Sequence, residues 1–133
     1  MKELTMADVI LSIPDARQIA EDWVAAWNAR DLERILSHYA DDVQFFSPSV
    51  VTRYGEPTGM LRGKHVLREH FRRGLEAFGA DVRFTIIDVL SGVNGYTVYY
   101  SRENGEYSLW YGKSLGESMF YYSRSKKWSE EGL

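Results

Sequence analysis

Hydrophobic positions recur along this chain with two different periods, and the change from one to the other separates a mainly helical first part from a β-rich second part. Ile19, Ala20, Trp23, Ala26 and Trp27 stand three or four residues apart, which predicts one apolar stripe on a helix of about four turns. Ser12-Ile13-Pro14-Asp15 supplies its start, with a hydroxyl at the cap, a proline inside the first turn and an acid three residues on. The register breaks at Asn28-Ala29-Arg30-Asp31, where Asp31 is placed to cap a short second helix carrying Leu32, Ile35, Leu36 and Tyr39. A third helix opens at Gly63, shows Val66, Leu67, His70, Phe71, Leu75 and Phe78 on one face, and stops at Gly79.

Between the second and third helices, residues 43–47 read as a short strand. Residues 48–59, with two prolines and two glycines, read as a loop, and 60–62 as a brief pairing segment. Beyond Gly79 the period is two. Val82, Phe84, Ile86, Asp88 and Leu90 are expected on one face of a strand, with Arg83, Thr85, Ile87 and Val89 on the other. Asn94-Gly95 and Asn104-Gly105 are hairpin turns that bracket a strand over 96–102. Residues 106–122 read as one long strand curled at Gly112 and Gly116, followed by a turn at 123–126 and a last strand at 127–131. The pattern predicts an α+β fold, a curved antiparallel sheet with three helices on its concave face. Straight helices and a bent sheet cannot meet everywhere, so the cone between them is the expected place for a pocket. Residues 1–11 read as an arm and 12–133 as a single domain, the size at which one core suffices.

Composition removes several classes of function. There is no cysteine, which excludes a disulfide framework, a thiolate metal site and a cysteine nucleophile. With 16 Lys and Arg against 19 Asp and Glu, and the basic residues scattered, the chain lacks the footprint of a nucleic-acid binder. No pair of histidines has the spacing of a metal site, and no cofactor is expected. The first eight residues carry acids where a secretory leader needs a positive start, and no apolar run approaches the length of a membrane span, so a soluble, cytoplasmic protein is expected. Aromatic residues make up 14% of the chain, which suits cross-strand pairing in a sheet and equally suits the wall of a cavity.

The stretch 23–32, Trp-Val-Ala-Ala-Trp-Asn-Ala-Arg-Asp-Leu, together with Tyr39-Ala40-Asp41-Asp42-Val43, the strand-ending Ser47-Pro48, Arg62-Gly63 and Leu67-Arg68-Glu69, resembles the nuclear transport factor 2-like superfamily. The likeness is to its small bacterial SnoaL-like and ketosteroid-isomerase-like members, over about residues 15–131. It implies the cystatin-like roll with its central pocket, and a homodimer formed through the outer sheet face. Ketosteroid isomerases of this fold use a carboxylate base at the end of the first strand, with a tyrosine and a protonated aspartic acid as oxyanion hole. Those positions fall here on Ser47, Trp23 and Glu117, so two of the three groups are changed and the usual steroid isomerase chemistry is not expected. An epoxide-hydrolase arrangement needs an arginine between two carboxylates, and none is placed between Asp88 and Glu117.

The candidate catalytic residues are Glu117 and His70. Glu117 is expected to face the cone as proton donor or anchor if the set Glu117, Met119, Tyr121 points inward; facing outward, it would pair with a cation instead. His70, near the inner face of its helix, is the histidine placed to act as a base, or else it is a core histidine satisfied by the backbone. Trp23, Trp27, Tyr39, Phe45, Ser47, Phe71, Met119 and Tyr121 are expected to line the pocket. Ser47 has no base beside it in the sequence and no glycine-flanked elbow around it, so it is not read as a nucleophile. Two functions remain open. One is a protein that binds a small hydrophobic or amphipathic molecule, with acid-base catalysis of the isomerase or cyclase type. The other is a non-catalytic binding or assembly domain whose cone is filled by its own aromatic rings.

Overall fold

The computed structural model describes residues 13–92, 95–115 and 118–127, of which 13–14, 113–115 and 118–127 are described by their backbone alone. Helix α1 (Ile13–Asn28) buries Ala20, Trp23, Ala26 and Trp27 of the stripe that its spacing predicts and adds Ala16 and Val24, while Ile19 is half-buried. It ends on Asn28, whose side-chain amide donates to Phe84 O at 3.0 Å and accepts from Phe84 N at 2.7 Å, fastening the helix to the sheet as a strand would. Asp31 caps α2 (Leu32–Leu36) by accepting from Arg34 N. Helix α4 (Lys64–Phe78) opens at Gly63, where φ is +94° and ψ 144°, a conformation open to glycine and strained for other residues. Its buried face is Leu67, His70, Phe71 and Leu75, with Phe78 half-buried; Val66, expected on this face, is exposed.

One expected loop is a helix. Residues Pro48–Tyr54 form α3, with Ser47 as N-cap, proline in the first turn and Gly55 in the left-handed region at the C-cap. Ser47 ends strand β1 (Gln44–Phe46), so one residue both finishes the strand and starts the helix. β1 pairs antiparallel with β2 (Met60–Arg62), and Ser47 N donates to Gly59 O at 2.9 Å to close the excursion between them.

The sheet continues through β3 (Phe84–Gly92), β4 (Gly95–Arg102), β5 (Glu106–Leu115) and β6 (Ser118–Lys127), in the order β2-β1-β6-β5-β4-β3. Every pair is antiparallel except β1 with β6, which is parallel. The expected single strand over 106–122 is therefore a hairpin, β5 pairing with β6 from Glu106 opposite Lys127 to Leu115 opposite Ser118. The expected turn at 123–126 lies inside β6, and residues 128–131 are outside the described part. Gly112 does not bend its strand: it stays in register with Tyr96 and Tyr121. A Cβ there would lie 3.1 Å from ring atoms of both Tyr96 and Trp110, so glycine makes room for two aromatic side chains. The irregularity is instead in β3, where the pairing slips between Ile86 and Asp88 and leaves Ile87 as an extra, exposed residue. The bulge inverts the expected alternation. Phe84 is inside before it, Val89 is inside after it, and Leu90 is turned out.

The inner face of the sheet carries Tyr96, Val98 and Tyr100 on β4, opposite Gly112, Trp110 and Ser108 on β5. These meet Trp23 and Trp27 of α1 and Phe71 of α4 in a cluster of rings. Phe84 and Tyr100 stack at 4.8 Å, Trp23 and Trp110 lie 4.8 Å apart, and Trp27 meets Phe71 edge-on at 5.1 Å. Most of the cone is thus filled by the protein's own aromatic side chains, and what stays open lies toward Ser47.

Candidate functional site

The open space is a chamber of about 130 Å³, walled by Trp23, Trp27, Tyr39, Phe45, Phe71, Phe78, Phe84, Tyr100 and Trp110, and closed at its polar end by Ser47, Ser49, Arg53 and His70. A second cavity of about 250 Å³ adjoins it, sharing Ser47, Ser49, Phe78 and Tyr100 and adding Pro48, Arg102 and Ser108. The inner chamber is the size of a single ring, since an apolar cavity of about 150 Å³ holds benzene. A larger ligand would seat one ring inside and extend into the outer cavity.

The polar end is built by α3 and α4 together. Arg53 Nη1 donates to His70 O at 2.9 Å and to His70 Nδ1 at 3.1 Å. A guanidinium has no acceptor, so Nδ1 carries the lone pair and the single ring hydrogen sits on Nε2. Nε2 lies 3.0 Å from Ser49 Oγ, to which it donates, and Ser49 Oγ lies 2.8 Å from Ser47 Oγ. Ser49 N also donates to Ser47 Oγ at 3.2 Å. Burial first, then the charges of Arg53 and Arg73, push His70 down to about 4, which keeps the ring neutral at neutral pH.

The result is the reverse of a hydrolytic triad. There a carboxylate accepts the Nδ1 hydrogen and leaves Nε2 free to take a proton from serine. Here the cation on Nδ1 makes Nε2 a donor, so His70 cannot serve as a base toward the chamber and neither serine is activated as a nucleophile. Ser47, read from sequence as having no base beside it, does sit two hydrogen bonds from a histidine, but from one of the wrong polarity. At the opposite wall Tyr39 accepts from the indole nitrogens of Trp23 and Trp110, each at 3.1 Å, and its burial raises its pKa. Trp23 therefore spends its hydrogen on a phenol of the wall.

Two polar groups here have no partner among the described residues. The indole nitrogen of Trp27 is one, in a side chain 5% exposed. The other is Nε of Arg102, whose guanidinium stacks 4.0 Å over the Phe78 ring at the outer cavity and pairs through its other nitrogens with Glu103 and Glu106.

Trp23, Trp27, Tyr39, Phe45, Ser47, His70 and Phe71 thus share one chamber. Met119 and Tyr121 lie on β6, where side chains are outside the described part, and Glu117 is itself outside the described residues. Sequence reasoning missed Ser49, which becomes visible only once 48–54 is read as a helix. It left Arg53 in a loop for the same reason. Among the described residues no group of three or more His, Asp or Glu side chains could hold a metal ion, and no helix is long and apolar enough to cross a membrane.

A bent sheet holding helices in its hollow around a pocket defines a cone-shaped roll of the nuclear transport factor 2-like superfamily. Within it the chain belongs to the SnoaL-like domain family, whose model matches residues 20–112. It is similar to a SnoaL-like protein of unknown function from Burkholderia thailandensis E264, with 32% identity and a TM-score of 0.78 over 86% of this chain and 98% of that one. It also shares its fold with a nuclear transport factor 2-like protein of unknown function from Burkholderia xenovorans LB400, at 16% identity and a TM-score of 0.68 over 86% and 85% of the two chains. TerC, crystallised with polyporic acid, shares it at 16% identity and a TM-score of 0.64 over 84% and 91%. No curated protein matches the chain.

Proposed function

We propose that the protein binds a small, mostly apolar ring compound carrying at least one polar group. The observation that carries this is a chamber whose walls are aromatic on all sides and whose polar groups gather at one end, around Ser47. Apolar burial supplies affinity in such a site, and a few placed polar groups fix orientation. TerC crystallises with an organic acid in the same fold, which is in keeping with a ligand of this kind.

Turnover of the isomerase or cyclase type is the second reading. Hydrogen-bond donors at Ser47 would stabilise negative charge developing on a ligand oxygen, the task an oxyanion hole performs. The reaction also needs a group that moves a proton, and no described chamber residue supplies one; Glu117, expected from the sequence as proton donor or anchor, is the candidate for it.

Trp23, Trp27 and Trp110 report directly on an occupant, so a panel of single-ring ketones and phenols followed by tryptophan fluorescence tests the proposal. Saturable quenching is expected, together with a rise in melting temperature. A panel that moves neither signal refutes the ligand-binding reading. Incubation of any binder with the native chain and with Glu117→Gln then separates the two readings, since turnover requires a product that the variant fails to form.

A further inference from the structure

We infer that Gly74 is a specificity-determining residue of the chamber: the side chain it lacks leaves a gap through which an alkyl substituent on the bound ring runs out across α4, so the protein takes alkyl-substituted rings in preference to bare ones. This rests on the ligand-binding reading above and names the ligand chemistry within it.

Gly74 lies inside α4, one turn from its end, and lines the chamber. Helical spacing sets it beside three other lining residues, His70 and Phe71 one turn before it and Phe78 one turn after. Apart from proline, glycine is the costliest residue a helix interior can hold. The usual structural reasons for one do not apply here. Its φ is not positive, unlike those of Gly55, Gly59, Gly63, Gly79 and Gly105. It does not end the helix, which runs on to Phe78 and stops at Gly79. Nor does it make room for a neighbour: among the described residues a Cβ built on Gly74 would meet no atom within 4 Å, whereas one on Gly112 would lie 3.1 Å from Tyr96 and from Trp110. The space in front of Gly74 is kept clear of the protein's own described atoms, and a ligand is what it leaves room for.

The chemistry of that space follows from what borders it. One ring takes up the chamber's 130 Å³, so a substituent on the ring has to leave. Two ways out differ in kind. At Ser47 and Ser49 the wall is polar and continues into the second cavity, which shares both serines. At Gly74, which belongs to the first chamber alone, the wall is half-buried helix backbone with Phe71 and Phe78 a turn to either side. Backbone N–H and C=O groups inside a helix are already bonded to one another, so this strip has no free polar group to offer. An alkyl chain lying along it buries apolar area and leaves no hydrogen bond unmade, while a polar substituent there would lose its water without finding a partner.

Phenol, 4-methylphenol, 4-ethylphenol and 4-propylphenol, titrated into the full-length protein and followed by tryptophan fluorescence, test the idea. In the native chain affinity should climb by up to about fourfold with each added methylene. Gly74→Ala should melt about 3 °C higher than the native chain without ligand. The same variant should bind 4-propylphenol about tenfold more weakly and phenol with a smaller loss, so that the series flattens. Gly74→Leu, with a longer side chain in the gap, should bind 4-propylphenol more weakly still. Stability that rises while affinity falls separates a specificity role from a structural one, because a glycine kept for packing would lower both when replaced. If Gly74→Ala melts below the native chain, if its series climbs as steeply as the native one, or if the native series is flat, the inference is overturned while the ligand-binding reading stands. If no member of the series and none of the other ring compounds binds the native chain, the ligand-binding reading falls and this inference with it.

Discussion

A guanidinium beside Nδ1 gives His70 a task opposite to the one it would have beside a carboxylate, and the same contact makes it sensitive to acid. The ring is buried, with Arg53 of α3 and Arg73 of its own helix the charges acting on it, and its pKa falls from 6.5 to about 4. The unfolded chain takes up the proton near 6.5 and the folded chain does not, so stability present above that pH is lost as pH falls from about 6.5 toward 4 and levels off below. A shift of this size corresponds to about 3 kcal/mol over that window. Urea unfolding at pH 7 and at pH 4.5 should show the loss, and His70→Gln should show a smaller one; an equal loss in both would assign the acid sensitivity to carboxylates. At this scale the sequence was legible in kind and silent in polarity. Residue spacing placed His70 on the inner face of its helix, but which nitrogen carries the hydrogen depends on an arginine seventeen residues upstream.

Elements were legible where one period held and obscure where it changed within a segment. Most of each stripe on α1, α2 and α4, and the turn at Asn104-Gly105, needed no tertiary information; Asn94 lies outside the described residues. Helix α3 carried its own marks, serine then proline at one end and glycine at the other, yet its seven residues bury only Val50 and show no stripe. The hairpin of β5 and β6 lacks a recognised two-residue turn, so its two strands read as one. In β3 the extra residue at Ile87 lets inward positions pass from even to odd numbers without disturbing the core. Deleting Ile87 would leave Phe84, Ile86 and Val89 in a single uninterrupted alternation, removing the bend a bulge imposes. The deletion variant is expected to keep its circular dichroism spectrum and to lose affinity for chamber ligands; unchanged affinity would show that the bulge does not shape the cone.

Across the whole molecule, the sheet has two faces with different loads. The inner face is consumed by the ring cluster, while the outer face leaves Leu90 at 55% exposure on β3 and Leu109 at 44% and Tyr111 at 37% on β5, the two strands that flank β4. Large apolar side chains gathered exposed on one sheet face mark an interaction site more often than a free surface. We propose a second copy of the chain as its occupant, as the resemblance to the superfamily implies. Sedimentation should give a dimer that Leu109→Lys converts to monomer, and a monomeric native chain would dismiss the idea.

The two cavities have a common wall of Ser47, Ser49, Phe78 and Tyr100. Altering any of these four reshapes both cavities together, so selection for a new occupant cannot adjust one without the other through them. The independent handles are Trp27 and Phe71 for the first cavity, and Pro48, Arg102 and Ser108 for the second. A library meant to retune specificity by small steps would vary those five positions and leave the shared wall alone.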